Sequence, residues 1–290
     1  YGSCVVANAN VDDGVGDLVS GHGTHVTGSI AGSGFRSAGA FKGMAYDASI
    51  TFQAVEQYTT FSPQVCEANN GYYLSGIPAD VGVLLDDAHA MGARVHNNSW
   101  GSPAAGTYTV DAANFDERIH QYQDLLVTVA AGNYGADGNL DGFADLKSIA
   151  TLGAAKNVLT VGASDSLQIG TMGYAEYMWG ILLPKSFTKS PTSVDYTSDN
   201  PQELAAFSSR GPAADGRIKP DVVAPGTNIL STRTQQDYDP LDEFVPSGWG
   251  IYNDYYMYNG GTSMASPLTA GAAALVREYY IEKLGVANPS

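Results

Sequence analysis

Three short segments carry residue types suited to acyl transfer. Ser263 stands in Gly260-Gly261-Thr262-Ser263-Met264-Ala265-Ser266-Pro267, where a glycine-rich turn meets an apolar helical pattern. A serine there turns its hydroxyl away from packed backbone. Its own N–H falls in the first helical turn, whose donors have no partner within the helix and which favours negative charge. Nucleophile and oxyanion donor would then come from one residue; an ordinary N-cap serine is the alternative. Such a nucleophile needs a base, and the five histidines, His22, His25, His89, His96 and His120, all precede Ser263. That order excludes the α/β-hydrolase arrangement, and Ala265 occupies the position where its elbow needs glycine. His22 and His25 lie in Gly21-His22-Gly23-Thr24-His25-Val26-Thr27-Gly28. A metal pair is the rival role, but the acidic partner of a zincin helix is missing. Asn133 ends the apolar run Val129-Ala130-Ala131-Gly132. At the C-terminal edge of a strand its amide could face a developing oxyanion, or it could serve as a turn residue.

A fourth constellation suits a different task. In Asp137-Gly138-Asn139-Leu140-Asp141-Gly142-Phe143-Ala144-Asp145, side-chain oxygens and a glycine follow the spacing of an EF-hand-type calcium loop, with Phe143 offering its carbonyl. Ser148 stands where that loop takes its bidentate glutamate, and a surface loop of Asx turns is the competing reading.

These residues need a scaffold, and the pattern between them alternates. Apolar or β-branched runs at 49–55, 94–100, 125–130 and 158–161 predict strands, while 81–91, 110–122 and 263–284 read as helices, the signature of a parallel sheet with covering helices. In the first helix Val81, Leu84, Leu85, Ala88 and Met91 share one face. In the last, Met264, Leu268, Ala272, Leu275 and Tyr279 form a stripe. Residues 174–204 read as long loops. No repeat, linker or low-complexity tract interrupts the chain, so its 290 residues form one domain.

Composition narrows the partners. Lys and Arg number 14 against 30 Asp and Glu, a formal net charge of −16, which argues against nucleic acid or an anionic membrane. An apolar content of 44% with 34 glycines suits a compact, turn-rich domain rather than a disordered chain. No stretch is apolar enough for a membrane span. Cys4 and Cys66 are the only cysteines, too few for a disulfide scaffold or a structural zinc site; one disulfide or two free thiols both remain open.

Together these segments resemble the subtilisin-like serine peptidases, the subtilases, most nearly the bacterial secreted branch. Gly21 to Gly28 is similar to the family's histidine motif, Ala130 to Asn133 to its oxyanion asparagine, and Gly261 to Pro267 to its serine motif. Phe207-Ser208-Ser209-Arg210-Gly211-Pro212 and Lys219-Pro220-Asp221-Val222-Val223-Ala224-Pro225-Gly226 are similar to the stretch preceding the serine. The resemblance implies an α/β, three-layer fold with a mainly parallel central sheet and helices on both faces. It makes His22 the general base, Ser263 the nucleophile, Asn133 the oxyanion donor and His25 a packing residue. Ser99-Trp100-Gly101 and Ala130-Ala131-Gly132 would be the edges that pair with an extended polypeptide substrate. A secreted, monomeric endopeptidase with a structural calcium at Asp137, Asn139, Asp141, Phe143 and Asp145 is the resulting expectation. Arg210 and Asp221 are read as structural.

One element of the family pattern departs. The triad aspartate of relatives ends an apolar strand well upstream of the histidine, whereas only 21 residues precede His22. Asp12, Asp13 and Asp17 read as the solvated loop leading into the histidine motif, and Asn8 and Asn10 interrupt the faint strand at Val5-Val6. The chain starts at Tyr1, and Ser290 follows Ser263 by only 27 residues, so a fragment truncated at both ends is expected, with the aspartate outside it. A non-catalytic, peptide-binding relative is the alternative, and a calcium-stabilised surface domain is a third.

Overall fold

The computed structural model describes residues 5–11, 21–62, 71–168, 172–235 and 248–289; Cys4, Asp12, Asp13, Asp17 and Cys66 lie outside them. β1 (Val5–Val11), β2 (Gln57–Ser62) and β3 (Gly71–Tyr73) pair antiparallel in that order. The β1–β2 register shifts on both sides of Asn8, so the strand accommodates its asparagines through irregular pairing instead of ending there. α1 (His22–Ala31) starts after Gly21, whose φ of 62° is left-handed and favours glycine.

The central sheet is parallel and runs β4 (Val95–Asn98), β5 (Leu126–Ala130), β6 (Leu159–Ser164), β7 (Val222–Pro225) in chain order. Val95 faces Leu126, Thr128 faces Leu159 and Val161 faces Val222. α2 (Gly82–Ala90) and α3 (Val110–Gln121) cover one face, where Leu85, Phe115, Val127, Val129 and Leu152 are fully buried in one cluster. Each such side chain contributes about 1.5–3 kcal/mol of burial. A second cluster gathers Val161, Ala163, Phe207 and Ala265 around Trp179 of the short α4 (Trp179–Leu182). α5 (Thr262–Leu284) crosses the other face and touches all four strands and α1. The three-layer α/β architecture is therefore present. β8 (Ile229–Thr232), β10 (Tyr256–Asn259) and β9 (Gly250–Ile251) add a small antiparallel sheet against α1. A Cβ on Gly28 would lie 2.0 Å from Thr232 Oγ1, so only glycine lets α1 approach β8 this closely.

Two expectations are corrected. Residues 49–55 form no strand, and Phe52 is 60% exposed. A strand needs a ladder partner, and pairing passes instead to the following residues, which become β2. In α5 the buried face comprises Met264, Ala265, Ser266, Pro267, Ala270 and Gly271, whereas Leu275 and Tyr279 are exposed. Close packing selects the small residues, because only they let the helix axis approach the sheet and α1. Ser266 Oγ and Thr128 Oγ1 donate to Asn97 Oδ1 at 2.7 and 3.0 Å, which satisfies the polar atoms buried at this contact.

Candidate active site

The sheet's C-terminal edge carries the predicted residues. Ser99 follows β4, Gly132 and Asn133 follow β5, and α5 begins one residue before Ser263. Together with His22, at the start of α1, they line one groove of about 1820 Å³.

The orientation of Asn133 follows from its partners. Thr262 N–H donates to Oδ1 at 2.8 Å and the Thr262 hydroxyl donates to the same atom at 3.0 Å. A backbone N–H can only donate, so the atom facing it is the oxygen and the NH2 points elsewhere. It points toward the start of α5, where a Cβ on Gly261 would lie 3.3 Å from Nδ2. The Ser263 N–H belongs to the first turn of that helix, where no intrahelical acceptor exists. Nδ2 and the Ser263 N both lie close to that Cβ position, at 3.3 and 3.6 Å. The Ser263 hydroxyl donates to Ser99 O at 3.1 Å, and Ser99 Oγ donates back to Ser263 O at 2.9 Å. Pro267 explains the second bond: lacking an N–H, it cannot satisfy the carbonyl four residues earlier, and Ser99 takes its place. Thr262 and Ser99 thereby hold Asn133 and Ser263 in place, roles that no local pattern announces.

The other histidines are committed elsewhere. His25 is fully buried, with Nε2 3.1 and 3.2 Å from the carbonyls of Ile229 and Met257, so it packs α1 against the small sheet. His96 lines the groove, but Asn98 Nδ2 lies 2.9 Å from its Nδ1 and Gln53 Oε1 lies 2.9 Å from its Nε2. His89 pairs with Asp124 and stacks on Tyr122, and His120 is exposed on α3. His22 is left as the base candidate.

Burial lowers the His25 pKa to about 4. A folded-state value below the unfolded one means that the unfolded chain binds the extra proton first. Stability from His25 is therefore present above about pH 6.5 and is lost as pH falls toward 4, by up to about 1.4 kcal/mol per pH unit. Thermal midpoints should fall across that window, and His25→Gln should flatten the dependence.

The model of the subtilase family matches residues 6–287, a span that includes every residue of the groove. This chain is a subtilase. Its relatives include the serine protease/ABC transporter B family proteins tagB and tagD of Dictyostelium discoideum, 30% and 29% identical over 92% of the chain. Serine protease AprX of Bacillus subtilis is 29% identical over 89%. The chain spans only 15%, 16% and 48% of these relatives. The structure of sphericase superposes with a TM-score of 0.51 at 22% identity, over 89% of the subtilase chain and 63% of its own, which supports the fold.

Of the expected substrate-contacting residues, Ser99, Trp100, Gly101, Ala130 and Gly132 line the groove. Ala131 does not: it is fully buried against Ile149 and Ala154, its N–H donates to Val161 O, and its carbonyl accepts from Ala150 N–H. In a subtilase strand whose outer residues face the groove, alternation turns the middle residue into the core. Arg210 reaches the carbonyl of Ala206, while Asp221 accepts from Thr160 N–H at 2.7 Å and pairs with the buried Lys219 at 2.7 Å. Both hold strands and loops together.

The acidic loop lies apart from the groove. Asp137 accepts from the N–H groups of Asp141 and Gly142, Asn139 Oδ1 from Asp141 N–H, Asp141 Oδ1 from Phe143 N–H, and Asp145 Oδ2 from Gly138 N–H, all at 2.8–3.0 Å. Leu140 and Gly142 take left-handed φ values of 62° and 93°. These are Asx turns; the loop's three acids do not gather within 4.8 Å of one another among the described residues, although their oxygens are of the kind a hard cation takes.

Proposed function

We propose that the chain is the catalytic domain of a serine endopeptidase that cleaves polypeptides through an acyl-enzyme. The observation that carries this reading is the anchoring of Asn133 Oδ1 on Thr262, with Nδ2 and the Ser263 N 3.3 and 3.6 Å from one point beside Gly261, in a groove that His22 also lines. His22 removes the Ser263 proton as Oγ attacks the scissile carbonyl, Asn133 Nδ2 and Ser263 N–H hold the oxyanion, and the imidazolium returns the proton to the leaving amine. The hydroxyl must first leave Ser99 O, a small rotation of the kind catalytic hydrogen bonds make when substrate binds. The substrate runs along Ser99, Trp100 and Gly101 on one side and Ala130 and Gly132 on the other. Main-chain pairing of that kind tolerates varied sequences. A strand ending in aspartate, contributed by chain ahead of Tyr1, completes the triad. The enzyme acts outside the cell, as the name of minor extracellular protease Vpr of Bacillus subtilis indicates for that relative, 45% identical over 27% of the chain.

Asn133→Ala should lower kcat about 100- to 1000-fold with little change in KM, because the amide is worth most once the oxyanion forms; that magnitude is carried over from subtilisin itself. An unchanged kcat would reduce Asn133 to a turn residue. A peptide-binding, non-catalytic role is the second reading, favoured by the engagement of the Ser263 hydroxyl with Ser99 O.

Calcium at Asp137, Asn139, Asp141, Phe143 and Asp145 would stabilise the domain, since a ligand bound only by the native state raises its midpoint. The combined change Asp137→Ala with Asp141→Ala should cut the calcium-induced rise by several degrees, measured against chelator. An unaltered rise would leave the loop as Asx turns alone.

A further inference from the structure

Asp165 immediately follows β6, at the same end of the sheet as Ser263. It is fully buried, and among the described residues neither of its carboxylate oxygens has a hydrogen-bond partner. A buried carboxylate in that state is costly unless it is neutralised or paired. Its surroundings add negative charge: Asp195 and Glu203 bring oxygens to within 4.8 Å of it and of one another, and Asp199 nearby has a buried oxygen likewise unpartnered. The ion pairs among the described residues include none of these four acids. Burial first, then Asp195, Asp199 and Glu203, push Asp165 up to about 9, and burial raises Asp195 as well. The frame around them is well tied. Asp165 N–H donates to Glu203 O at 2.9 Å, Trp179 N–H to Asp195 O at 3.0 Å, and Asn200 Nδ2 to Glu203 Oε1 at 2.6 Å.

We propose that Asp165, Asp195 and Glu203 form a divalent-cation site and that its ion is calcium. Three carboxylates from three chain segments converge without a compensating base, and an ion supplies the missing positive charge and the missing partners together. An all-oxygen set without histidine or cysteine selects a hard cation over zinc. Calcium accepts six to eight oxygens in flexible geometry, whereas magnesium demands a tight octahedron. Glu203 is exposed, so water completes the shell from that side. The site is distinct from the 137–145 loop and does not depend on the proteolytic reading. Its effect reaches the groove through backbone bonds: Ser164 O accepts from Gly226 N–H at 2.9 Å, and Gly226 O accepts from Gly261 N–H at 2.7 Å, just before the start of α5.

The test uses the full chain with the loop silenced by Asp137→Ala and Asp141→Ala. In that background calcium chloride at a hundredfold excess over Kd should raise the thermal midpoint by roughly 5–10 °C relative to chelator. Asp165→Asn should remove the rise and, in chelator, melt no lower than its parent, because the amide is neutral like the protonated acid that it replaces. Glu203→Gln, on the surface, should fold normally and weaken calcium binding on the order of tenfold by equilibrium dialysis; it decides the matter if Asp165→Asn fails to fold. Magnesium should not substitute. The proposal is overturned if the loop-silenced protein ignores calcium, if Glu203→Gln binds it undiminished, or if magnesium serves equally; the cluster is then a set of protonated acids.

Discussion

Ser263→Ala should reduce kcat of an active form by about a million-fold and abolish its labelling by a fluorophosphonate probe. The magnitude is that of subtilisin, carried over within the family. Its physical basis on the proposed reading is that the Ser263 hydroxyl, the proposed nucleophile, lines one groove with His22 and Asn133, whose Oδ1 accepts from Thr262 N–H. Removing it eliminates the covalent pathway while leaving both donors and the groove. A residual rate well above the uncatalysed one should persist, since oxyanion stabilisation and substrate alignment remain. The alanine fits without strain, because the serine's only described side-chain bond is to Ser99 O. Probe labelling that survives in Ser263→Ala would place the nucleophile elsewhere, and the peptidase reading would then fail at its first step.

The second large effect concerns the carboxylate behind His22. A form extended ahead of Tyr1 by an apolar strand ending in aspartate should cleave peptides about 10,000-fold faster than residues 1–290 alone, and changing that aspartate to asparagine should erase the gain. The groove offers the room. It extends along β4, from Val95 to Asn98, between Leu84, Ala88 and Met91 on the α2 side and Ala270, Ala274 and Ile281 of α5. Among the described residues β4 pairs only with β5, so its other edge presents the unpaired groups that a further strand would satisfy. A strand lying parallel there would end at the same edge as β4, the edge where Ser99 meets Ser263. Covering the edge should also sharpen unfolding into one cooperative transition, and the asparagine form should keep that gain without the activity. Full activity from residues 1–290 alone would show that the carboxylate lies within them, and Asp12, Asp13 and Asp17 would be the positions to change.

Much of the candidate site was legible because the chemistry proposed for it is local. Ser263 at a glycine-to-helix junction, His22 after Gly21 and Asn133 after an apolar run each announce themselves within eight residues, and the alternating pattern located β4, β5, β6, α2, α3 and α5 to within a few residues. The exceptions share a cause. Residues 49–55 have strand composition, yet composition cannot say whether an edge is available to pair with. The α5 stripe had helical period, yet which side is buried depends on what lies across from it, and here the small residues face the sheet.

The sequence by itself thus determined the fold class and singled out the three candidate residues in their order, since these depend on side-chain chemistry and periodicity along a few turns of chain. Only the tertiary structure decided which oxygen Asn133 presents to Thr262, that Pro267 frees the Ser263 carbonyl for Ser99, that Ala131 turns into the core, and that Asp165, Asp195 and Glu203 meet. Each of these joins residues from different segments of the chain. Long-range partners are chosen by packing and hydrogen-bond satisfaction in the folded molecule, and neither leaves a periodic trace in the sequence.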